Sequence, residues 1–244
     1  MKSPLCKSKT SLFIYIGCII VVCYTAVYQF SMLTDVYKHH IIFSLKNDKE
    51  RFTKIYELKY WNEDNLSGPG SNMDNAIPYL RYLQDFIDNR KIKTIVDLGC
   101  GNWELMKHII IPNNVQYWGI DLVDKIIDDN IRKHAKSNIQ FEKVNNVTDC
   151  KKYAGDLLIV KDVMQHWNFE AIHYFIKEIL VNFKYAILVN DFREKTKNEQ
   201  IEIGMYRTLD LEKEPFFVKL TVIGDYVSGN NAKRIYLYCN PEKK

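Results

Sequence analysis

The apolar positions of this chain fall into three patterns: one unbroken run, one helical stripe, and a series of short strand-like segments. No charged residue occurs from Thr10 to Thr34, and Leu12 to Phe30 is dominated by Leu, Phe, Ile, Val, Tyr and Cys. As a helix, such a run is long enough to cross a hydrocarbon core of about 30 Å. Further on, Ile77, Leu80, Leu83, Phe86 and Ile87 recur at helical spacing and predict an amphipathic helix. Ile95, Val96 and Leu98 then read as a strand buried on both faces. Alternation continues with Val115 to Asp121 as a strand, Asp124 to Lys136 as a polar helix and Ile139 to Val144 as a strand. Asp156 to Lys161 follows as a strand, Phe169 to Phe183 as an amphipathic helix and Tyr185 to Val189 as another strand. These units have the length of right-handed crossovers, which builds a parallel sheet. Phe216 to Ile223 and Arg234 to Cys239 are two more β-rich runs, joined through Val227-Ser228-Gly229-Asn230-Asn231 and close enough for a hairpin. The expected architecture is α/β: a doubly wound, mostly parallel seven-stranded sheet with one antiparallel edge strand, behind an N-terminal transmembrane helix.

This pattern divides the chain into a short basic tail (1–10), a transmembrane helix (11–33), a juxtamembrane linker and lid (34–71), and an α/β domain (72–244). The linker carries a Ser67-Gly68-Pro69-Gly70-Ser71 turn. A cleaved signal peptide is the alternative to an anchor, but the apolar run exceeds the usual length and no Ala-x-Ala-like site follows it, so an uncleaved single-pass anchor in a lipid bilayer is expected. Lys2, Lys7 and Lys9 precede the run and Lys38, Lys46, Lys49 and Arg51 follow it, leaving orientation open by charge. Two sequons, Asn65-Leu66-Ser67 and Asn146-Val147-Thr148, would be glycan acceptors in a lumenal domain. The second lies where a ligand pocket is expected, which favours a cytosolic domain.

Charge narrows the partners. The 34 Lys and Arg against 30 Asp and Glu are interspersed, with no block of like charge and no arginine-rich stripe, so no nucleic-acid partner is expected. The six cysteines form no Cys-x-x-Cys pair and no cluster with histidine, which argues against a disulfide framework or a zinc site.

Candidate chemistry starts at Val96-Asp97-Leu98-Gly99-Cys100-Gly101-Asn102-Trp103-Glu104. Glycines after a buried strand let the backbone turn tightly and approach a ligand. In an open α/β sheet the ligand lies beyond the carboxyl ends of the strands, where this loop falls. Asp121 ends the next strand, at the distance from the glycines that suits hydrogen bonding to ribose hydroxyls. A dinucleotide loop would carry a third glycine where this chain has Trp103 or Glu104, and both suit a pyrophosphate badly. Asp97 instead suits a cationic amino-acid group, which points to S-adenosylmethionine.

Val96-Asp97-Leu98-Gly99-Cys100-Gly101 followed by Gly119-Ile120-Asp121 resembles the class I S-adenosylmethionine-dependent methyltransferases, with their Rossmann-like fold, over about Asn72 to Asn240. The Ser67–Ser71 turn, Gly101-Asn102-Trp103, Val160-Lys161-Asp162-Val163-Met164-Gln165-His166, Val189-Asn190-Asp191 and Tyr206-Arg207-Thr208-Leu209-Asp210-Leu211 further resemble a poorly characterised subgroup of that family. The resemblance implies that Asp97, Gly99, Cys100 and Gly101 meet the methionine part of the cofactor and that Asp121 holds the ribose, and Trp103 is expected among the cofactor-binding residues. The family's adenine-binding Asp is replaced by Asn145 and Asn146, whose amide oxygens retain the ability to accept that bond.

Methyl transfer needs a positioned nucleophile, a base when the acceptor is a hydroxyl, and exclusion of water. His166 is the expected general base, with Asp162 on the same face, and Lys161 is expected to frame the cofactor pocket. Asn190, Asp191 and Arg207 are expected on the substrate side. Asn190 and Asp191 with Asp162 supply oxygens of a kind magnesium takes, but the same residues serve as strand-end turns, so no metal is expected. For Arg207 a surface ion pair with Asp210 or Glu212 is the plain alternative. The reading is a membrane-anchored methyltransferase acting on a small-molecule or glycan-like hydroxyl acceptor. Its rivals are a catalytically inactive binding or scaffold protein of the same fold and a nicotinamide-dependent oxidoreductase.

Overall fold

The computed structural model describes residues 5–61, 70, 73–195, 197–229 and 231–243, with residues 5–20 and Asp74 described by backbone alone. The chain forms two compact units, Met1–Leu45 and Lys46–Lys244. The first is one helix, α1 (Leu5–Ser44). Among the described residues no helix is long and apolar enough to cross a membrane. The side chains of the expected span before Val21 lie outside the described residues, as do the sequon at Asn65 and, apart from Gly70, the Ser67–Ser71 turn.

The second unit opens with α2 (Asp48–Glu57), in a stretch the sequence pattern passed over as linker. Asn47 caps it by accepting from the Glu50 amide at 3.1 Å, and Phe52 and Ile55 are its buried positions. Helix α3 (Met73–Asp88) follows. It buries Ala76, Tyr79, Leu80, Leu83, Phe86 and Ile87 against the sheet. Ile77, expected in that stripe, is 38% exposed, because the buried stripe runs through Ala76 and Tyr79 instead.

The sheet is seven-stranded, in the order β3-β2-β1-β4-β5-β7-β6. Its strands are β1 (Thr94–Leu98), β2 (Gln116–Asp121), β3 (Ile139–Lys143), β4 (Gly155–Lys161), β5 (Phe183–Asp191), β6 (Thr221–Ser228) and β7 (Asn231–Cys239). The first five are parallel, and β7 pairs antiparallel with both β5 and β6. The single antiparallel strand therefore lies one place inside the edge, which is formed by β6. Ile95, Leu157, Ile159, Ile187 and Val189 join the core under α3. Their neighbours Val96, Leu158, Val160, Ala186 and Leu188 point to the other face and are equally buried.

Three local features add to this element order, the last two as departures from the expected elements. The β1–β2 crossover has no α-helix, only a short 3-10 turn at Met106–His108, while the next crossover carries α4 (Asp124–His134). The helix after β4 is α5 (Phe169–Tyr174), continued by a π turn (Phe175–Ile179) and a 3-10 turn (Leu180–Asn182). The strand expected at Phe216 begins at Thr221, and Val227, Ser228 and Asn231 belong to the paired strands rather than to the turn. Phe216 and Val218 are buried in a loop instead, with the Val218 amide bonded to the Leu211 carbonyl at 2.8 Å.

Candidate functional site

The reversal of strand order falls between β1 and β4, and a cleft opens at their carboxyl ends, lined by the loops that follow both strands. One half of the cleft is made by the loop after β1. Gly99 and Gly101 have φ of 75° and 54°, a region open to glycine, and Trp103 is held at 59°. A Cβ on Gly99 would lie 2.4 Å from Val163 Cγ2, so its bare backbone is also what lets the β1 and β4 loops meet.

Asp121 fixes this loop. Its Oδ2 accepts from the Gly101 amide at 3.0 Å and its Oδ1 from the Val123 amide at 3.0 Å. Burial pushes its carboxyl pKa up, with those backbone donors pulling the other way. From α4, buried Asn130 donates to the Gly101 carbonyl at 2.7 Å. Asp97 is buried and accepts from the Tyr117 hydroxyl at 2.6 Å, which in turn accepts from the Trp103 indole at 2.8 Å. Burial raises the Asp97 pKa to about 7, Asp121 adds to the rise, and the Tyr117 bond and Lys161 oppose it. Trp103 is thus a core residue that also lines the cleft, packed edge-on to Tyr117 and Phe141.

Asn145 and Asn146, expected at the adenine, separate. Asn146 lines the cleft, and its Oδ1 caps the 3-10 turn Val147–Lys152 by accepting from the Thr148 and Asp149 amides. Asn145 is exposed, outside that lining, and bonded to Asp149 Oδ2 and Lys49.

The other half is built from the end of β4 and the loop after it, and behind that loop the ends of β5 and β7 carry a charged cluster outside the cleft lining. Lys161 Nζ donates to the Gly70 carbonyl at 2.8 Å and to Asp162 Oδ2 at 2.5 Å. Asp162 has φ 59° and its Oδ1 accepts from Lys233 Nζ at 2.6 Å. Burial works to raise the Asp162 pKa, but Lys161 and Lys233 outweigh it and bring it down to about 2. Lys233 also contacts Asp191 Oδ1. Asp191 Oδ2 accepts from the Tyr206 hydroxyl at 2.6 Å and from Asn231 at 2.9 Å.

His166 is buried, lines the cleft, and stacks on Trp61 with ring centroids 4.5 Å apart. Its Nδ1 lies 2.9 Å from the Met205 carbonyl, an acceptor only, so Nδ1 carries the proton and Nε2 keeps a lone pair. Burial lowers its pKa to about 4, well below the near-neutral value of a free imidazole. Arg207 is buried rather than paired at the surface; its Nη1 donates to the Trp167 carbonyl at 2.6 Å and its guanidinium faces the Phe169 ring at 5.6 Å. Fully buried Asn190 keeps both amide atoms without a partner and does not line the cleft.

The fold is therefore the Rossmann-like methyltransferase one, with its binding cleft at the switch point. Structures sharing it include an O-methyltransferase family protein from Burkholderia thailandensis (TM-score 0.51, 10% identity, covering 87% of this chain and 70% of that one). DhpI in complex with SAH also shares it (0.53, 11%, 80% and 96%), as does WbdD with the kinase inhibitor LY294002 (0.53, 15%, 68% and 41%). By sequence, a Clostridium tetani (strain Massachusetts / E88) protein described as an uncharacterized RNA methyltransferase is 30% identical over 96 residues. That stretch is 39% of this chain and only 19% of the relative. No protein-family model matches the chain.

Proposed function

We propose that this protein is an S-adenosylmethionine-dependent methyltransferase whose acceptor is an uncharged small-molecule or glycan-like hydroxyl. The observation that carries the reading is one cleft lined by Asp97, Gly99, Gly101 and Asp121 at one end and by His166 at the other. Asp97 has an oxygen beyond the one held by Tyr117 with which to meet a cationic amino-acid group, and Asp121 retains lone pairs for ribose hydroxyls. The absence of a helix after the glycine loop supports this over a dinucleotide, whose pyrophosphate needs helix N-terminal amides.

Bound S-adenosylmethionine would supply a methyl carbon activated by its sulfonium. On the chain's side, His166 Nε2 would accept the hydroxyl proton as the acceptor oxygen bonds to the methyl carbon and the carbon–sulfur bond breaks. Trp61, Tyr56 and Phe52 would exclude water at that end. Lys161 is the sole cation lining the cleft among the described residues, and it is already paired with Asp162. An anionic acceptor therefore meets no free cation. We also place the domain at a membrane through Leu12 to Phe30, on the cytosolic side. Protease digestion of the C-terminal unit in sealed vesicles supports that side, and protection overturns it.

The activity test is incubation of the full chain with methyl-labelled S-adenosylmethionine and three acceptor sets: neutral glycosides, sugar phosphates and total RNA. Label in the neutral set, lost in Asp97→Ala and reduced in His166→Ala, is expected. Label confined to RNA would favour the activity its Clostridium tetani relative is described by. Calorimetry showing NAD(H) binding without S-adenosylhomocysteine binding would replace the reading with an oxidoreductase. Cofactor binding without transfer to any set would favour the inactive scaffold.

A further inference from the structure

Two carboxylates, Asp162 and Asp191, stand at the ends of adjacent parallel strands with one ammonium between them. The register of β5 on β7 puts Lys233 directly opposite Asp191, a placement that brings facing side chains into contact. Its side chain is only 4% exposed, against 3% for Asp191 and 13% for Asp162. Lys233 Nζ meets Oδ1 of each carboxylate. The remaining oxygens are also occupied, Asp162 Oδ2 by Lys161 and Asp191 Oδ2 by Tyr206 and Asn231. Two aspartates and two lysines sum to zero charge. Gly70 closes the cluster from the side, since a Cβ there would lie 2.4 Å from Asp162 Oδ2 and 3.0 Å from Lys233 Nζ.

Paired carboxylates on neighbouring strand ends form the oxygen set a hard divalent ion takes. We propose that Lys233 is a built-in cation that occupies this position, closing the site to divalent metals and positioning the residues around it. Asp191 holds Tyr206, and the adjoining Met205 carbonyl fixes the proton on His166 Nδ1, so the lysine sets the base through two links. That last step rests on the methyltransferase reading; the cation assignment does not.

The test is Mn²⁺ titration of the full chain followed by electron paramagnetic resonance, which needs no turnover. Wild type is expected to take up no stoichiometric Mn²⁺. Lys233→Ala is expected to bind one ion per chain, at least about tenfold more tightly than wild type, and to lose it when Asp191→Asn is added. Stoichiometric Mn²⁺ on wild type that Asp162→Asn removes would overturn the proposal, as would a folded Lys233→Ala with no gain. If Lys233→Ala does not fold, refolding is compared in ethylammonium and in sodium at equal concentration. Recovery with ethylammonium alone supports the assignment, and no difference overturns it. Failure of wild type to bind S-adenosylhomocysteine would sink the functional reading while leaving the Mn²⁺ result to decide the lysine.

Discussion

The two halves of the cleft are built by different means. On the β1–β2 side, backbone does most of the binding work: two left-handed glycines and amides at Gly101 and Val123 held by one carboxylate. On the β4 side, charge does it, through Lys161 and Asp162, with Asp191 and Lys233 cross-linked behind them outside the cleft lining. A backbone cradle suits a constant ligand whose shape never varies. A cross-linked charged wall holds neighbouring segments in place, so variation at that end can be carried by the aromatic residues in front of it.

The sharpest way to separate the halves is Asp121→Ala. Losing a charged acceptor for two amides should cost about 3 kcal/mol, since bonds to charged groups contribute roughly 1.5–3 kcal/mol each. Affinity for S-adenosylhomocysteine should fall about 100-fold by calorimetry. An unchanged affinity would mean that the loop holds itself without the carboxylate.

Next in size are opposing pH slopes. Asp97 has its folded pKa raised from 3.8 to about 7, so the native state binds the extra proton and stability falls as pH rises between those values. His166 has its folded pKa lowered from 6.5 to about 4, so the unfolded state binds the extra proton and stability rises with pH across that window. The two contributions offset one another between about pH 4 and 6.5. Denaturant unfolding of Asp97→Asn should therefore gain a positive slope relative to wild type, approaching about 1.4 kcal/mol per pH unit, and His166→Gln a negative one. Parallel profiles for both variants would show that the two groups are not in these environments.

The smallest effect compares neighbours. Asn146→Ala removes a cap and should lower stability by about 1 kcal/mol, whereas Asn145→Ala at its exposed position should stay within about 0.5 kcal/mol. A reversed order, read from denaturant midpoints, would show that the Asn146 side chain is not what holds the Val147–Lys152 turn.

The backbone-built half was legible because its parts are local. Asp97, the glycines and Asp121 sit at the ends of strands whose apolar patterns announce them. Tyr117 and Asn130 were not, since each lies inside an element where it reads as ordinary core or polar face. Lys233 was hidden for another reason: it lay just before the strand expected at Arg234 to Cys239, and only its register against Asp191 buries it. Trp61 was missed because it lies in a stretch read as linker, far in sequence from the His166 ring it covers. The misplaced strand at Phe216 shows the limit of apolarity as a strand signal, because Phe216 and Val218 bury themselves from a loop.

The strand that carries Lys233 is also a matter of timing. Lys233 emerges 42 residues after Asp191. At synthesis rates of about 5–20 residues per second that interval is on the order of 2–8 s. Until it ends, two strand-end carboxylates await their counter-charge while the glycine loop and its Asp121 have long been made. The growing polypeptide thus acquires a ligand cradle first and its charged wall last.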